Sequence, residues 1–326
     1  MRVPAYITAV TKTDKAKKQV AVIGYGSQGR AIALNLCDSG YEVTVGLRPN
    51  SRSRSIARRD GIRRVASLPE AVRRSTVVIM AIPDHQHGRV FARQIKSALG
   101  THSTLVFLHG LSVHFGLVVP PKSCDIVLIA PHAPGVALRE KYLTDRSVSA
   151  FIAVAQNPGG VAWTTAKNLA IAVGISPKRQ IKTTFEHEAI GDIFGEQAVL
   201  CGGMALLIKH GFDTLVESGI SPENAWLEVA YQLDLIVGLV KQHGISGMFD
   251  RISVAARYGS LTAGPRIVDQ SVKRRMKREL ARIRTGRFAR ELNALSPAQI
   301  ASLRKALAKL TSPALEKAAR RFSRKS

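Results

Sequence analysis

Near its start the chain runs Val20-Ala21-Val22-Ile23-Gly24-Tyr25-Gly26-Ser27-Gln28-Gly29 and continues into a stretch with apolar residues at Ala31, Leu34 and Leu36. The apolar run reads as a buried strand, the later spacing from Arg30 to Asp38 as a helix stopped at Gly40, and the glycines between as a tight turn. Few folds accept that order of parts. The glycines allow the turn itself, close approach of the backbone to a pyrophosphate, and close packing of helix on strand; the helix start adds free N–H groups and the positive dipole end. A GxGxxG pattern by itself is weak. Between a strand and a helix it predicts a dinucleotide site at Gly24, Tyr25, Gly26, Ser27, Gln28 and Gly29 rather than an ordinary glycine turn.

Strand-like runs recur at Glu42–Val45, Thr76–Ala81, Thr104–Leu108, Ile126–Ala130 and Ala150–Ala155, with helix-like segments such as Leu68–Arg74 and His87–Leu99 between most of them. That alternation predicts an α/β fold with a parallel, doubly wound Rossmann sheet. After about Lys182 the strand signal fades, and helical patterns occupy Gly191–His210, Phe212–Glu217, Pro222–Gln242, Ile252–Tyr258, Val268–Thr285 and Pro297–Leu310. Two domains are expected: a nucleotide-binding one over residues 1–182 and an all-helical one over residues 183–326. No internal repeat or long low-complexity linker interrupts them.

The 326 residues are 45% hydrophobic, with no unbroken run of 18 apolar residues, so no transmembrane helix is expected. Met1 to Gln19 is basic and lacks an apolar stretch of signal-peptide length. Cys37, Cys124 and Cys201 are odd in number and widely spaced, which argues against a disulfide framework or a cysteine zinc site and fits a reducing cytoplasm. The net charge is +25, and residues 271–326 carry +14 of it, from 17 Lys+Arg against 3 Asp+Glu. Such a tail invites a nucleic-acid reading. It lacks the interleaved aromatics of a single-strand binder and the Cys/His spacing of a zinc finger, and its cations fall within helical patterns. Specific nucleic-acid recognition is therefore not expected; a solvated basic face is, and its field would also favour anionic ligands.

The second strand ends Val45-Gly46-Leu47-Arg48, where an NAD site usually offers Asp or Glu to the ribose. Here the loop continues Pro49-Asn50-Ser51-Arg52-Ser53-Arg54. Guanidinium forks and hydroxyls suit a 2′-phosphate, so NADP(H) is expected over NAD, the alternative being a generic basic loop. Further on, Asp192 and Glu196 lie four residues apart, on one helix face. Ile193, Phe194, Val199 and Leu200 are expected to turn that helix into a core, where acids must be paired or metal-bound. Hard oxygen ligands of this kind suit Mg²⁺, although on spacing alone a salt-bridged or solvated pair is the commoner arrangement. Glu228 and Gln232 repeat the spacing without, by itself, any chemical implication.

Taken together these segments resemble the short-form (class I) ketol-acid reductoisomerases over nearly the whole chain. The resemblance is carried by the Val22–Gly29 turn, Val45–Arg48, Leu108-His109-Gly110, Val113–Gly116, Val118–Lys122, Ile129-Ala130-Pro131, the segment Phe194–Gly203, Tyr258-Gly259 and Gly264-Pro265-Arg266. It implies a knotted, dimeric helical domain, with active sites completed across a homodimer. It also implies isomerisation of 2-acetolactate by alkyl migration between two Mg²⁺ ions, then reduction by NADPH. On that basis Asp192 and Glu196 are metal ligands, and Glu228 and Ser253 arrive from the second subunit to hold metal-bound water and the substrate carboxylate. His109 adjoins nicotinamide and substrate, Arg48, Ser51 and Ser53 hold the 2′-phosphate, and Asp84 lines the cofactor cleft.

Two positions depart from the family pattern: His132 follows Ala130-Pro131 where the family has lysine, and Gln232 replaces a second glutamate four residues after Glu228. Imidazole, with an ordinary pKa of about 6.5, is not the permanent cation that lysine is, and an amide cannot shuttle a proton. Both changes bear on proton handling during migration, while hydride delivery needs fewer parts, with His132 available as proton donor. The first expectation is therefore an NADP-dependent oxidoreductase reducing a small 2-oxo acid or imine, its isomerase step impaired. The alternatives are a complete ketol-acid reductoisomerase and a catalytically silent cofactor-binding protein.

Overall fold

The computed structural model describes residues 19–323; the basic opening stretch, residues 1–18, lies outside the described residues. Among the described residues eight strands form one sheet: β1 (Gln19–Ile23), β2 (Glu42–Gly46), β3 (Arg64–Ala66), β4 (Val77–Met80), β5 (Thr104–Phe107), β6 (Asp125–Pro131), β7 (Ala150–Gln156) and β8 (Gln180–Lys182). Their order is β3-β2-β1-β4-β5-β6-β7-β8, so the chain reverses its direction of travel across the sheet between β1 and β4. That reversal opens a crevice at the carboxyl ends of the strands, the usual ligand position in such sheets. The strands are apolar at successive residues because both faces are covered. Val20 and Val22 enter one core and Ala21 and Ile23 the other.

Pairing is parallel throughout except between β6 and β7, which run antiparallel with Pro131 opposite Ala150. The expected parallel, doubly wound sheet is thus present, with this one antiparallel pair as its exception. The connection, helix Gly135–Leu143 and a short loop, brings the chain back to the edge it left, so β7 must enter from that edge. The three-residue strands β3 and β8, at the two margins of the sheet, are too short for a periodicity signal. Helices Gly135–Leu143 and Ala162–Ala172 also lack a clear signal in the sequence; the first has almost no amphipathic pattern and the second is buried along most of its length.

Contacts divide the chain into a unit of residues 1–191 with 289–294 and a unit of residues 192–288 with 295–326. The division falls inside helix Phe185–Gly195, some ten residues beyond the boundary expected from composition. The second unit is helical, as expected, but two of its helical runs contain π turns, at Glu196–Leu200 and Leu227–Tyr231. A π turn accommodates one extra residue and rotates all later side chains of the helix by about 100°. The reading of Val199 and Leu200 as core residues is accordingly corrected: both lie on the surface of the chain. Among the described residues one helical run, Phe185–Glu217, is long and apolar enough to cross a membrane by length and composition alone, although it holds no unbroken run of 18 apolar residues. Cys37, Cys124 and Cys201 are free thiols.

Candidate active site

A cleft of about 580 Å³ opens at the β1–β4 crevice, lined by Gly24 to Gln28, Arg48, Ser51, Ser53, Asp84, His87 and His109 among others. Each motif glycine has its own physical reason. Gly24 has φ +104°, and a Cβ there would stand 2.6 Å from the Ala81 carbonyl oxygen. Gly29, inside helix Ser27–Asp38, packs so closely that a Cβ would lie 2.6 Å from the Gly24 oxygen. At Gly26, the residue before that helix, a Cβ would meet nothing within 4 Å. The space over Gly26 faces free helix N–H groups, a cradle that a side chain would fill and that suits a pyrophosphate. Tyr25 contributes backbone only: its ring is buried and its hydroxyl donates to Asp60 at 2.9 Å. Burial and that bond raise the phenol's pKa. Arg30 clamps the same carboxylate through two bonds of 2.7 and 2.8 Å, which hold the carboxyl below its ordinary pKa.

Arg48 is exposed beside Ser51 and Ser53 at the mouth of this cleft, and the Ser53 amide donates to Ser51 Oγ at 3.3 Å. Arg54, part of the expected cationic loop, has a different task. Its guanidinium donates to the carbonyls of Leu47, Val65 and Ala66 and ties the loop to β3. Deeper in the cleft, Asp84 Oδ1 and Gln28 Oε1 are buried acceptors without a hydrogen-bond partner. Buried acceptors call for donors, which a ribose or carboxamide supplies. The residues present fit a dinucleotide.

His87, also in the cleft, was missed in the sequence. It is buried between Ser112 Oγ, 2.8 Å from Nδ1, and the Ile82 carbonyl, 2.9 Å from Nε2. Burial lowers its pKa, so it is a neutral strut that ties the Asp84 turn to the segment after β5. His109 follows β5. Its Nδ1 accepts the Leu111 amide at 2.9 Å, which assigns the ring proton to Nε2 and makes that nitrogen a donor. Glu188, 3% exposed, accepts the Gly110 amide at 2.5 Å and lies 3.6 Å from His109 Nδ1. Its role in pinning the His109 turn leaves no trace in sequence spacing, because 78 residues separate the partners.

His132 stands just past β6 and does not line the cleft. Its ring is fixed by Ser149 Oγ, 3.1 Å from Nδ1, and by an edge contact on Phe151 with centroids 4.4 Å apart. The adjoining residues reach the glycine turn: Gln28 Nε2 donates to the Ala133 carbonyl at 2.7 Å, and Gly135 packs directly on the Ser27 backbone.

In the helical unit Asp192 and Glu196 lie on the same helical run, Glu196 opening the π turn. Gln232 Nε2 donates to Glu228 Oε2 at 3.4 Å, so that pair does meet. Ser253 caps helix Val254–Ile267, accepting the Ala256 amide at 3.1 Å. Among the described residues no three His, Cys, Asp or Glu side chains gather into a metal-binding group. Asp192 and Glu196 supply hard carboxylate oxygens, the donor type that magnesium takes one or two of while keeping most of its waters.

A glycine turn at the switch point of a doubly wound sheet, opening on a cleft that also holds His109, is the arrangement of a nicotinamide-dependent oxidoreductase. Residues 15–178 match the family model for the acetohydroxy acid isomeroreductase NADPH-binding domain, and residues 185–324 the ketol-acid reductoisomerase C-terminal domain. The chain belongs to the ketol-acid reductoisomerase family. It is 47% identical over 274 residues to the ketol-acid reductoisomerase (NADP(+)) of Pyrobaculum aerophilum, covering 84% of this chain and 83% of that one. With the enzyme of the same name from Beutenbergia cavernae it shares 44% identity over 273 residues, covering 84% and 80%. Among solved structures, an NADH-preferring ketol-acid reductoisomerase from an uncultured archean superposes with a TM-score of 0.88 at 36% identity, covering 94% and 93%.

Proposed function

We propose that the chain is a complete ketol-acid reductoisomerase, converting 2-acetolactate to 2,3-dihydroxyisovalerate with NADPH and Mg²⁺. This replaces the first expectation, a reductase with an impaired isomerase step: relatives at 43–47% identity over 84% of the chain carry the full activity in their names. The observation that carries the reading is the match of both family domains, end to end, on a chain that keeps Asp192, Glu196, Glu228, Ser253 and His109.

In this reading the glycine turn and helix N-terminus hold the pyrophosphate, Arg48, Ser51 and Ser53 the 2′-phosphate, and Asp84 a donor group of the cofactor. Asp192 and Glu196 hold the metal. When bound, NADPH supplies the hydride and magnesium the Lewis acid for the substrate oxygens. His109 donates from Nε2 to the substrate oxygen that gains charge, held in that tautomer by the Leu111 amide. His132, oriented by Ser149, moves the proton that lysine handles in the family pattern, and Gln232 holds Glu228 in place through its amide.

A homodimer completes the site. The helical unit leaves Leu235, Ile245, Val254 and Ile267 at least 65% exposed, and few of its side chains are buried. An apolar surface of that extent calls for a partner, and a second copy would bring Glu228 and Ser253 to the Asp192–Glu196 pair. The same exposure accounts for the membrane-length helix without invoking a bilayer, in keeping with a cytoplasmic enzyme. The deciding experiment is NADPH oxidation with 2-acetolactate and Mg²⁺, set beside a panel of 2-oxo acids. Turnover of 2-acetolactate supports the proposal; brisk reduction of 2-oxo acids with none of 2-acetolactate refutes it and reinstates the reductase.

A further inference from the structure

The proposed chemistry makes no use of helix Gln270–Arg284, the most charged element in the chain. It carries Lys273, Arg274, Arg275, Lys277, Arg278, Arg282 and Arg284 against the single acid Glu279, a net +6 over 15 residues. The helix is strongly two-sided. Val272, Met276, Leu280 and Ile283 fall on one stripe and are half-buried or buried, so its apolar side is already packed on the chain. The cations occupy the remaining sides, and six of them, all but Arg282, are exposed. Arg282 reaches Glu279 at 3.5 Å, and the capping Asp269 carboxylate feels the charge of Arg275 from the helix start. None of the other six forms an ion pair with any described acid.

Six guanidinium and ammonium groups outside any ion pair, within one 15-residue helix, repel one another at a cost in stability that the single capping Asp269 offsets only at the helix start. We propose that this face binds the phosphate backbone of a nucleic-acid duplex, without reading sequence. Four of the six groups are arginine, whose planar fork suits phosphate oxygens. The span from Lys273 to Arg284 is about 17 Å at 1.5 Å per residue, long enough to follow several phosphates of one strand. The segment has no aromatic residue to stack on bases, which excludes single-strand recognition of the stacking kind. An anionic membrane fits less well, because the apolar stripe that would enter the lipid is occupied.

The test is fluorescence anisotropy of an arbitrary-sequence 20-base-pair duplex against the full-length protein, with salt varied. Contacts to four to six phosphates give a slope of log K on log salt of roughly −4 to −5. Replacing Lys273, Arg274, Arg275, Lys277 and Arg278 with Gln should lower affinity at least tenfold and flatten that slope by about four. NADPH binding and the circular dichroism spectrum should stay unchanged. The control replaces five exposed cations of the sheet unit, Arg58, Arg63, Arg73, Arg93 and Lys96, with Gln, and should change the slope by less than one. Equal losses from both variants would show diffuse charge rather than a binding face and overturn the proposal. So would absence of duplex binding at 50 mM salt, or tighter binding to anionic phosphatidylserine vesicles than to the duplex.

Discussion

One alanine placed at each of three glycines should separate stability from cofactor binding. At Gly24 the new Cβ would lie 2.6 Å from a backbone oxygen, and the residue would keep φ +104°. Left-handed backbone costs a non-glycine residue about 1–2 kcal/mol and overpacking about 1–3, so Gly24→Ala should lose about 2–5 kcal/mol. At roughly 2–4 °C per kcal/mol, the melting transition falls by several degrees or more. At Gly29 the clash with the Gly24 oxygen is just as close, but alanine regains about 1 kcal/mol of helix propensity, and the net loss should be about 0–2 kcal/mol. At Gly26 the backbone is extended, with φ −81°, and the Cβ enters empty space, so Gly26→Ala should melt like the native protein. That methyl would nevertheless stand where the pyrophosphate meets the backbone. Losing one charge-assisted hydrogen bond of about 1.5–3 kcal/mol weakens NADPH roughly 10–100-fold. Calorimetric melting and NADPH titration by nicotinamide fluorescence read the two effects separately. Native-like NADPH affinity in Gly26→Ala would refute the placement of the pyrophosphate, and an unshifted melt in Gly24→Ala the strain argument.

The site sets three other expected outcomes. Replacing Arg48 and Ser51 with Asp should reverse a native preference for NADPH over NADH, measured as the ratio of dissociation constants; a native protein indifferent to the 2′-phosphate would contradict the reading of that loop. Asp192→Asn should abolish Mg²⁺-dependent turnover while leaving the NADPH dissociation constant within about twofold, as the two groups of residues belong to different units; full native activity in excess chelator would make the carboxylates structural. Asp60→Asn should cost about 1 kcal/mol at pH 7, below the range of a buried charged hydrogen bond because Arg30 is half exposed and solvent screens the pair. Since Asp60 is held below the ordinary carboxylate value of about 3.9, its contribution is present above that pH and lost as pH falls through the lower folded value. The gap in melting temperature between native and variant should therefore hold from pH 7 to 5 and close below pH 4, and a gap that widens on acidification would argue against this pair.

The sequence alone determined what is local or periodic. A buried strand, a glycine turn and a helix within twenty residues leave one arrangement that satisfies their backbone and their apolar faces. Gly24, Gly26 and Gly29 could therefore be read in advance, and so could the change from strand to helix near Lys182. Arg48, Ser51 and Ser53 were legible as the continuation of a known strand. Tertiary structure decided whatever depends on partners distant along the chain. Arg54 looks like another phosphate ligand until its three carbonyl partners are seen. Glu188 is one acid among several until Gly110 packs against it, and His132 acquires its orientation only when β7 returns antiparallel and brings Ser149 and Phe151 to it. The π turns after Asp192 and Trp226 likewise shift side chains that a regular helix would have placed elsewhere, because periodicity carries no sign of an inserted residue. Side-chain direction over a few residues is set by local sterics; which groups finally share a charge, a proton or a clash is set by how the chain closes on itself.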